Sequence, residues 1–164
     1  MRRAREEVAV IEDRRTGVVF VPPPADALRD RPERVCRSPT HRHTGDQFLH
    51  PVAKACVLHF MIGYEHAFLD GNGRTARAVF CWYVLKNHYR VFEYLAVSQL
   101  ILKGYAKYPQ AYIDVEQDDG DLTYFIAFKL GIIERAIEQL AAYLDQERLN
   151  VQASLSLAQA VPDL

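Results

Sequence analysis

Twelve consecutive residues concentrate the side chains that could do chemistry: His66-Ala67-Phe68-Leu69-Asp70-Gly71-Asn72-Gly73-Arg74-Thr75-Ala76-Arg77. Gly71 and Gly73 permit a tight loop and leave its backbone N–H groups uncovered. The loop runs into a helix start, where uncovered N–H groups and the positive end of the helix dipole form an anion site. Arg74 and Arg77 stand three apart, so both can project toward roughly the same side, and two guanidiniums match a polyphosphate. Asp70 at the loop entrance could face phosphate oxygens and hold Mg²⁺. Asn72 can donate an amide hydrogen bond to a phosphoryl oxygen. His66 titrates near neutrality and could accept a proton from a hydroxyl. Phosphate cradle, metal ligand and general base together suit attack by a hydroxyl on a nucleotide phosphate. No GxxxxGK[ST] or GxGxxG pattern is present. Taken singly, the histidine reads as structural, the Gly-Asn-Gly as a turn and the arginines as surface charges. Their coincidence outweighs those readings.

The flanking segments must position this loop. Pro51 to Gly63 is apolar on most sides (Val52, Cys56, Val57, Phe60, Met61), the pattern of a buried helix. Arg74 to about Asn87 is again helical and mostly apolar. The two predict a buried helical hairpin with the site at its bend. Residues 8 to 21 predict a β-hairpin, with Asp13 to Gly17 as its turn and Pro22-Pro23-Pro24 ending the second strand. Residues 25 to 47 read as a short helix plus loops. Phe92 to Tyr105 reads as a further helix, with Pro109 and the acidic run from Glu116 breaking the pattern and Asp121 as an N-cap. Ile126, Leu130, Ile133, Ile137, Leu140 and Leu144 alternate spacings of four and three, one face of a helix. Residues 150 to 164 are weakly patterned and expected to fray.

At 164 residues the chain fits one domain with a core of its own. Apolar residues at 49% and charged residues at 25% exclude a disordered or collagen-like chain. A net charge of -1 gives no field for a nucleic-acid backbone. Cys36, Cys56 and Cys81 are odd in number and lack CxxC spacing, which argues against a disulfide framework or a zinc site. No signal peptide or membrane-length apolar run is visible, so a cytoplasmic location is expected.

The motif segment resembles the Fic family, whose pattern is HPFxxGNGRxxR with Asp or Glu before the first glycine. The chain reads HAFLDGNGRTAR and departs at Ala67, where the family usually has proline. His50-Pro51-Val52 with Leu58-His59 resembles the helix before the motif. Asp121 to Phe125 resembles a later helix start, and Thr16-Gly17 through Pro23 the β-hairpin flap. The resemblance implies a mainly α fold: a helical bundle around a central motif-bearing helix pair, with one flap. The flap region would span 1–24, the catalytic core 25–148 and a C-terminal tail 149–164. It also implies a protein adenylyltransferase, moving AMP from ATP to a Ser, Thr or Tyr hydroxyl of a target protein held along the flap. His66 would be the base and Asp70 the Mg²⁺ ligand. Gly71, Asn72, Gly73 and Arg74 would hold the phosphates, and Arg77 the γ-phosphate. Tyr105, Tyr108 and Tyr112 lie where the family often places aromatics; Tyr112 is a nucleotide-binding candidate, with core packing as the alternative. Gly73, where family kinases carry lysine, favours nucleotidyl transfer. The family's inhibitory [ST]xxxE[GN] segment is not found, so inhibition would come from a partner or a preceding helix, or there is none. The alternatives are removal of AMP, another transferase of the fold, and a silent nucleotide-binding module.

Overall fold

The computed structural model describes residues 11–12, 19–24, 48–103 and 107–160. In chain order these form β1 (Ile11–Glu12), β2 (Val19–Phe20), α1 (Pro51–Glu65), α2 (Asn72–Lys86) and a 3-10 turn (Arg90–Glu93). Then come α3 (Val97–Lys103), α4 (Lys107–Gln117) and α5 (Thr123–Ala160). The protein is mainly helical. β1 and β2 pair antiparallel, Ile11 opposite Phe20 and Glu12 opposite Val19. The turn expected between them, the short helix expected within 25–47, Cys36 and Tyr105 lie outside the described residues. Among the described residues no helix is long and apolar enough to cross a membrane.

The α1–α2 hairpin is the centre of the bundle. Pro51 opens α1 at a position whose N–H has no helical partner, and His50 Nδ1 accepts a hydrogen bond from the Val52 N–H at 3.3 Å. The other ring nitrogen, Nε2, lies 2.9 Å from Tyr89 Oη, which ties the start of α1 to the chain beyond α2. Val52, Ala55, Cys56 and Leu58 of α1 meet Phe80, Tyr83 and Val84 of α2. Val97, Leu100 and Ile101 of α3 and Ile132, Ile133 and Ala136 of α5 close that cluster. A second cluster, Phe60, Ala111, Tyr112, Val115 and Phe125, joins the C-terminal half of α1 to α4 and α5. Each fully buried large side chain contributes about 1.5–3 kcal/mol relative to exposure, so these two clusters dominate the stability of the bundle.

Several boundaries differ from expectation for local reasons. The span 92–105 holds a 3-10 turn and a short α3 rather than one helix. Pro109 sits inside α4 because it falls in the first turn, where a missing N–H costs nothing. Asp121 does cap: its Oδ1 accepts from the Thr123 N–H at 2.8 Å. The largest departure is α5, a single helix of 38 residues that runs on through the expected tail. Its expected buried stripe is also rotated. Leu130, Ile137 and Leu144 are exposed, while Phe125, Lys129, Ile132, Ile133 and Ala136 face the bundle.

Candidate active site

The motif forms the bend between α1 and α2. His66 caps the C-terminus of α1 with left-handed backbone angles, φ 45° and ψ 45°. Its Nδ1 lies 3.2 Å from the Gly63 carbonyl oxygen. A carbonyl can only accept, so Nδ1 carries the proton and Nε2 is the basic nitrogen of the neutral ring. Thus the last turn of α1 fixes both the position of the ring and its tautomer.

The loop that follows is closed by Asn72, which is 2% exposed. Its Oδ1 accepts from the Phe68 N–H at 2.9 Å and its Nδ2 donates to the Phe68 carbonyl at 2.6 Å. Both ends of the amide thus clip the loop. Asn72 is the first residue of α2, so its backbone N–H is among the first-turn donors that have no partner within the helix. Gly71 sits at the N-cap with φ 89°, a backbone conformation glycine adopts without strain, and it brings no side chain to cap the helix. The first-turn N–H groups of Asn72, Gly73 and Arg74 therefore meet no capping side chain from that position. Thr75 Oγ1 and N–H both donate to the Gly71 carbonyl at 2.9 Å, locking the turn from the other side.

The two arginines lie in different surroundings. Arg74 is exposed and forms an ion pair with the exposed carboxylate of Asp70, four residues before it. Arg77 is half-buried and folds back along the helix; a Cβ added at Gly73 would come within 3.3 Å of its Nη1. Its charge acts on His59, Cys81, Tyr108, Tyr112 and Lys129, which places its guanidinium on the inner side of α2. Among the described residues no group of three or more His, Cys, Asp or Glu could hold a metal. An exposed carboxylate such as that of Asp70 suits Mg²⁺, which keeps several waters and takes its other ligands from substrate phosphates.

Tyr112 lies inside the bundle. It is buried, its ring stacked on Phe60 with centroids 4.8 Å apart, and its hydroxyl is 3.1 Å from Tyr108 Oη. Tyr108 Oη is in turn 2.9 Å from His59 Nε2. Burial, then the Tyr108 hydroxyl, raises the Tyr112 phenol well above its ordinary value. The ring packs beneath the site: a Cβ on Gly63 would collide with Tyr112 Oη. Gly63 is thus the residue that lets α4 approach the turn carrying His66, a link invisible in the sequence because it joins residues 49 apart.

Two further features escape sequence reading. Lys129 is fully buried and its Nζ has no hydrogen-bond partner, lying 4.2 Å over the Phe80 ring. Burial lowers its ammonium to about 8. Its place between Phe128 and Leu130 was the one available signal. On the outer face of α2, Arg74, Thr75, Ala78, Val79 and Trp82 line an open groove of about 470 Å³, with Lys86 Nζ 4.9 Å from the Trp82 ring.

Comparison with known proteins agrees with this geometry. A model of the Fic/DOC family matches residues 2–84. Over 98 residues the chain is 31% identical to "Protein adenylyltransferase Fic" of Nematostella vectensis, covering 60% of this chain and 20% of that protein. A crystal structure of a Fic family protein from Desulfovibrio desulfuricans G20 aligns with a TM-score of 0.71 and 23% identity, covering 86% of this chain and 41% of that one. The chain therefore spans about a fifth of the first relative's length and less than half of the second's. The family match covers half the chain and includes the whole of the His66–Arg77 bend, and on that ground the chain belongs to the Fic/DOC family.

Proposed function

We propose that this chain is a nucleotidyltransferase that moves AMP from ATP to a hydroxyl of a target protein. The observation that carries the reading is the pairing of His66, its basic nitrogen fixed by the Gly63 carbonyl, with the uncapped start of α2 beside it. The name of the Nematostella vectensis relative supports the class of reaction. In this scheme the target hydroxyl gives its proton to His66 Nε2 while its oxygen attacks the α-phosphorus. The bond from that phosphorus to the bridging oxygen breaks, and pyrophosphate leaves with the electron pair. The N–H groups of Asn72, Gly73 and Arg74 hold the phosphate oxygens through the field of the helix start. Arg74 and Arg77 offset the remaining charge, and opening the Asp70–Arg74 ion pair releases both groups for the nucleotide. Asp70 would hold Mg²⁺, which supplies charge neutralisation between neighbouring phosphates. Target residues are held along the β1–β2 hairpin by strand addition.

Incubation with a protein lysate and ATP labelled at either the α or the γ position tests this. Label transferred to protein from the α position only is expected. Transfer from the γ position only would make the chain a kinase. His66→Ala should lower transfer by about 10²–10⁴-fold, the usual effect of losing a general base.

A further inference from the structure

His66 ends α1 in the left-handed region, φ 45° and ψ 45°. A residue that carries a Cβ keeps such a conformation only where its surroundings hold it. One holder is local: the contact between its ring and the Gly63 carbonyl. Gly63 lies in the last four residues of α1, whose carbonyls have no helical hydrogen bond to fix them. The contact is therefore only as firm as whatever steadies the Gly63 peptide.

A hydrogen-bonded chain reaches that peptide from behind. It leaves α1 at His59, whose Nε2 lies 2.9 Å from Tyr108 Oη, and runs along α4 to Tyr112 Oη, 3.1 Å further on. It returns to α1 at Gly63, where Tyr112 Oη fills the space a side chain would take. Both ends are held. His59 is fully buried, edge-on to Phe80 and Phe125, and its Nδ1 has no partner, so Tyr108 makes the ring's one hydrogen bond. The Tyr112 ring stacks on Phe60 and meets Phe125 edge-on. His59 and Gly63 are about one helical turn apart, so the chain spans the turn that leads to His66. Core filling needs only the rings; a buried hydroxyl costs free energy unless it is bonded, and here the hydroxyls are the parts that bridge His59, Tyr108, Tyr112 and Gly63. We propose that His59, Tyr108 and Tyr112 form a brace that keeps the Gly63 carbonyl on His66 Nδ1 and so keeps the basic Nε2 of His66 turned to the target hydroxyl. These are positioning residues, acting through His66, and the proposal rests on the reading of His66 as the base.

Tyr112→Phe and Tyr108→Phe each keep a ring and delete one hydroxyl. Nitrogen-15 NMR of the histidine rings distinguishes protonated from bare ring nitrogens, and the signals lost in His66→Ala are those of His66. In the parent, the neutral ring of His66 should carry its proton on Nδ1 alone. In each variant, kept below its own unfolding temperature, the proton should be shared between Nδ1 and Nε2. Labelled transfer should then show kcat lowered about 10-fold with the KM for ATP held within about 2-fold, the pattern of a displaced base rather than a damaged nucleotide site. Val115→Ala thins the same core cluster without removing a hydroxyl; it should lower stability and leave the His66 proton on Nδ1. A His66 proton that stays wholly on Nδ1 in both tyrosine variants overturns the brace, whatever transfer does. So does a Val115→Ala variant that shares the proton as fully as they do. Absence of transfer in the parent would instead refute the base reading, and the tautomer measurement, which needs no transfer, would still decide the brace.

Discussion

Lys129 brings a charge into the bundle with an aromatic face for company and no hydrogen-bond acceptor. Its ammonium is lowered from 10.5 to about 8 by burial, with Arg77 adding repulsion and the Cys56 and Cys81 thiols acting in the opposite sense. The unfolded chain therefore binds more protons than the folded one between about 8 and 10.5, and stability rises with pH across that window. Below pH 8 the full cost of the buried charge is present, on the order of 3 kcal/mol. Burial raises the Cys56 thiol from 9.0 to about 11, so above pH 9 that group acts the other way: the unfolded chain loses its proton first. The clean window is thus pH 8 to 9. Urea unfolding should show a midpoint that rises between pH 8 and 9 and flattens above. Lys129→Met should be more stable than the parent at pH 7 and lose that rise, since an apolar side chain of similar length removes the uncompensated charge. His59, lowered well below 6.5 by burial and then by Lys129, is neutral in the bundle, so stability should also fall as pH drops below 6.5. Asn72 makes a second prediction at this scale. Asn72→Ala strands the Phe68 N–H and C=O and should cost about 1–3 kcal/mol, with nucleotide binding weakened as the loop opens. Isothermal titration and urea unfolding of the same variant would separate the two effects.

The α1–α2 hairpin was legible in the sequence because everything that shapes its bend is local. The Phe68–Asn72 clip, the Gly71–Thr75 lock and the Asp70–Arg74 pair all span four residues. Pattern and turn chemistry capture such contacts. What supports the hairpin from behind was not legible, because it depends on α4 arriving from far along the chain. Tyr112 illustrates this: at the sequence level a tyrosine can line a site or fill a core, and its stack on Phe60 and its approach to Gly63 join residues far apart in the chain. That approach gives a prediction for the element. Gly63→Ala must displace the Tyr112 ring, which Phe60 and Phe125 hold at centroid distances of 4.8 and 4.9 Å. The displacement should cost about 1–3 kcal/mol of stability, as overpacking does. Because the Gly63 carbonyl also receives the His66 ring, transfer should fall further than the loss of folded protein explains. Adding Tyr112→Leu should recover most of the stability, measured by thermal unfolding, by making room for the new methyl group.

For the whole molecule, the sequence conveyed the class of fold but misjudged where the bundle ends. The alternating stripe from Ile126 to Leu144 looked like one continuous core face, since periodicity reports that a helix has an apolar side and says nothing of what covers it. The bundle is shorter than α5. The core cluster reaches Ala136, and every residue from 141 to 157 is exposed, so that stretch of helix draws nothing from the interior. A helical extension of this length is only marginally stable by itself. Removing residues 142–164 should therefore leave the urea midpoint of the dilute protein within about 0.5 kcal/mol of the parent, while the far-ultraviolet helical signal drops. A large loss of midpoint would mean that the extension braces the bundle.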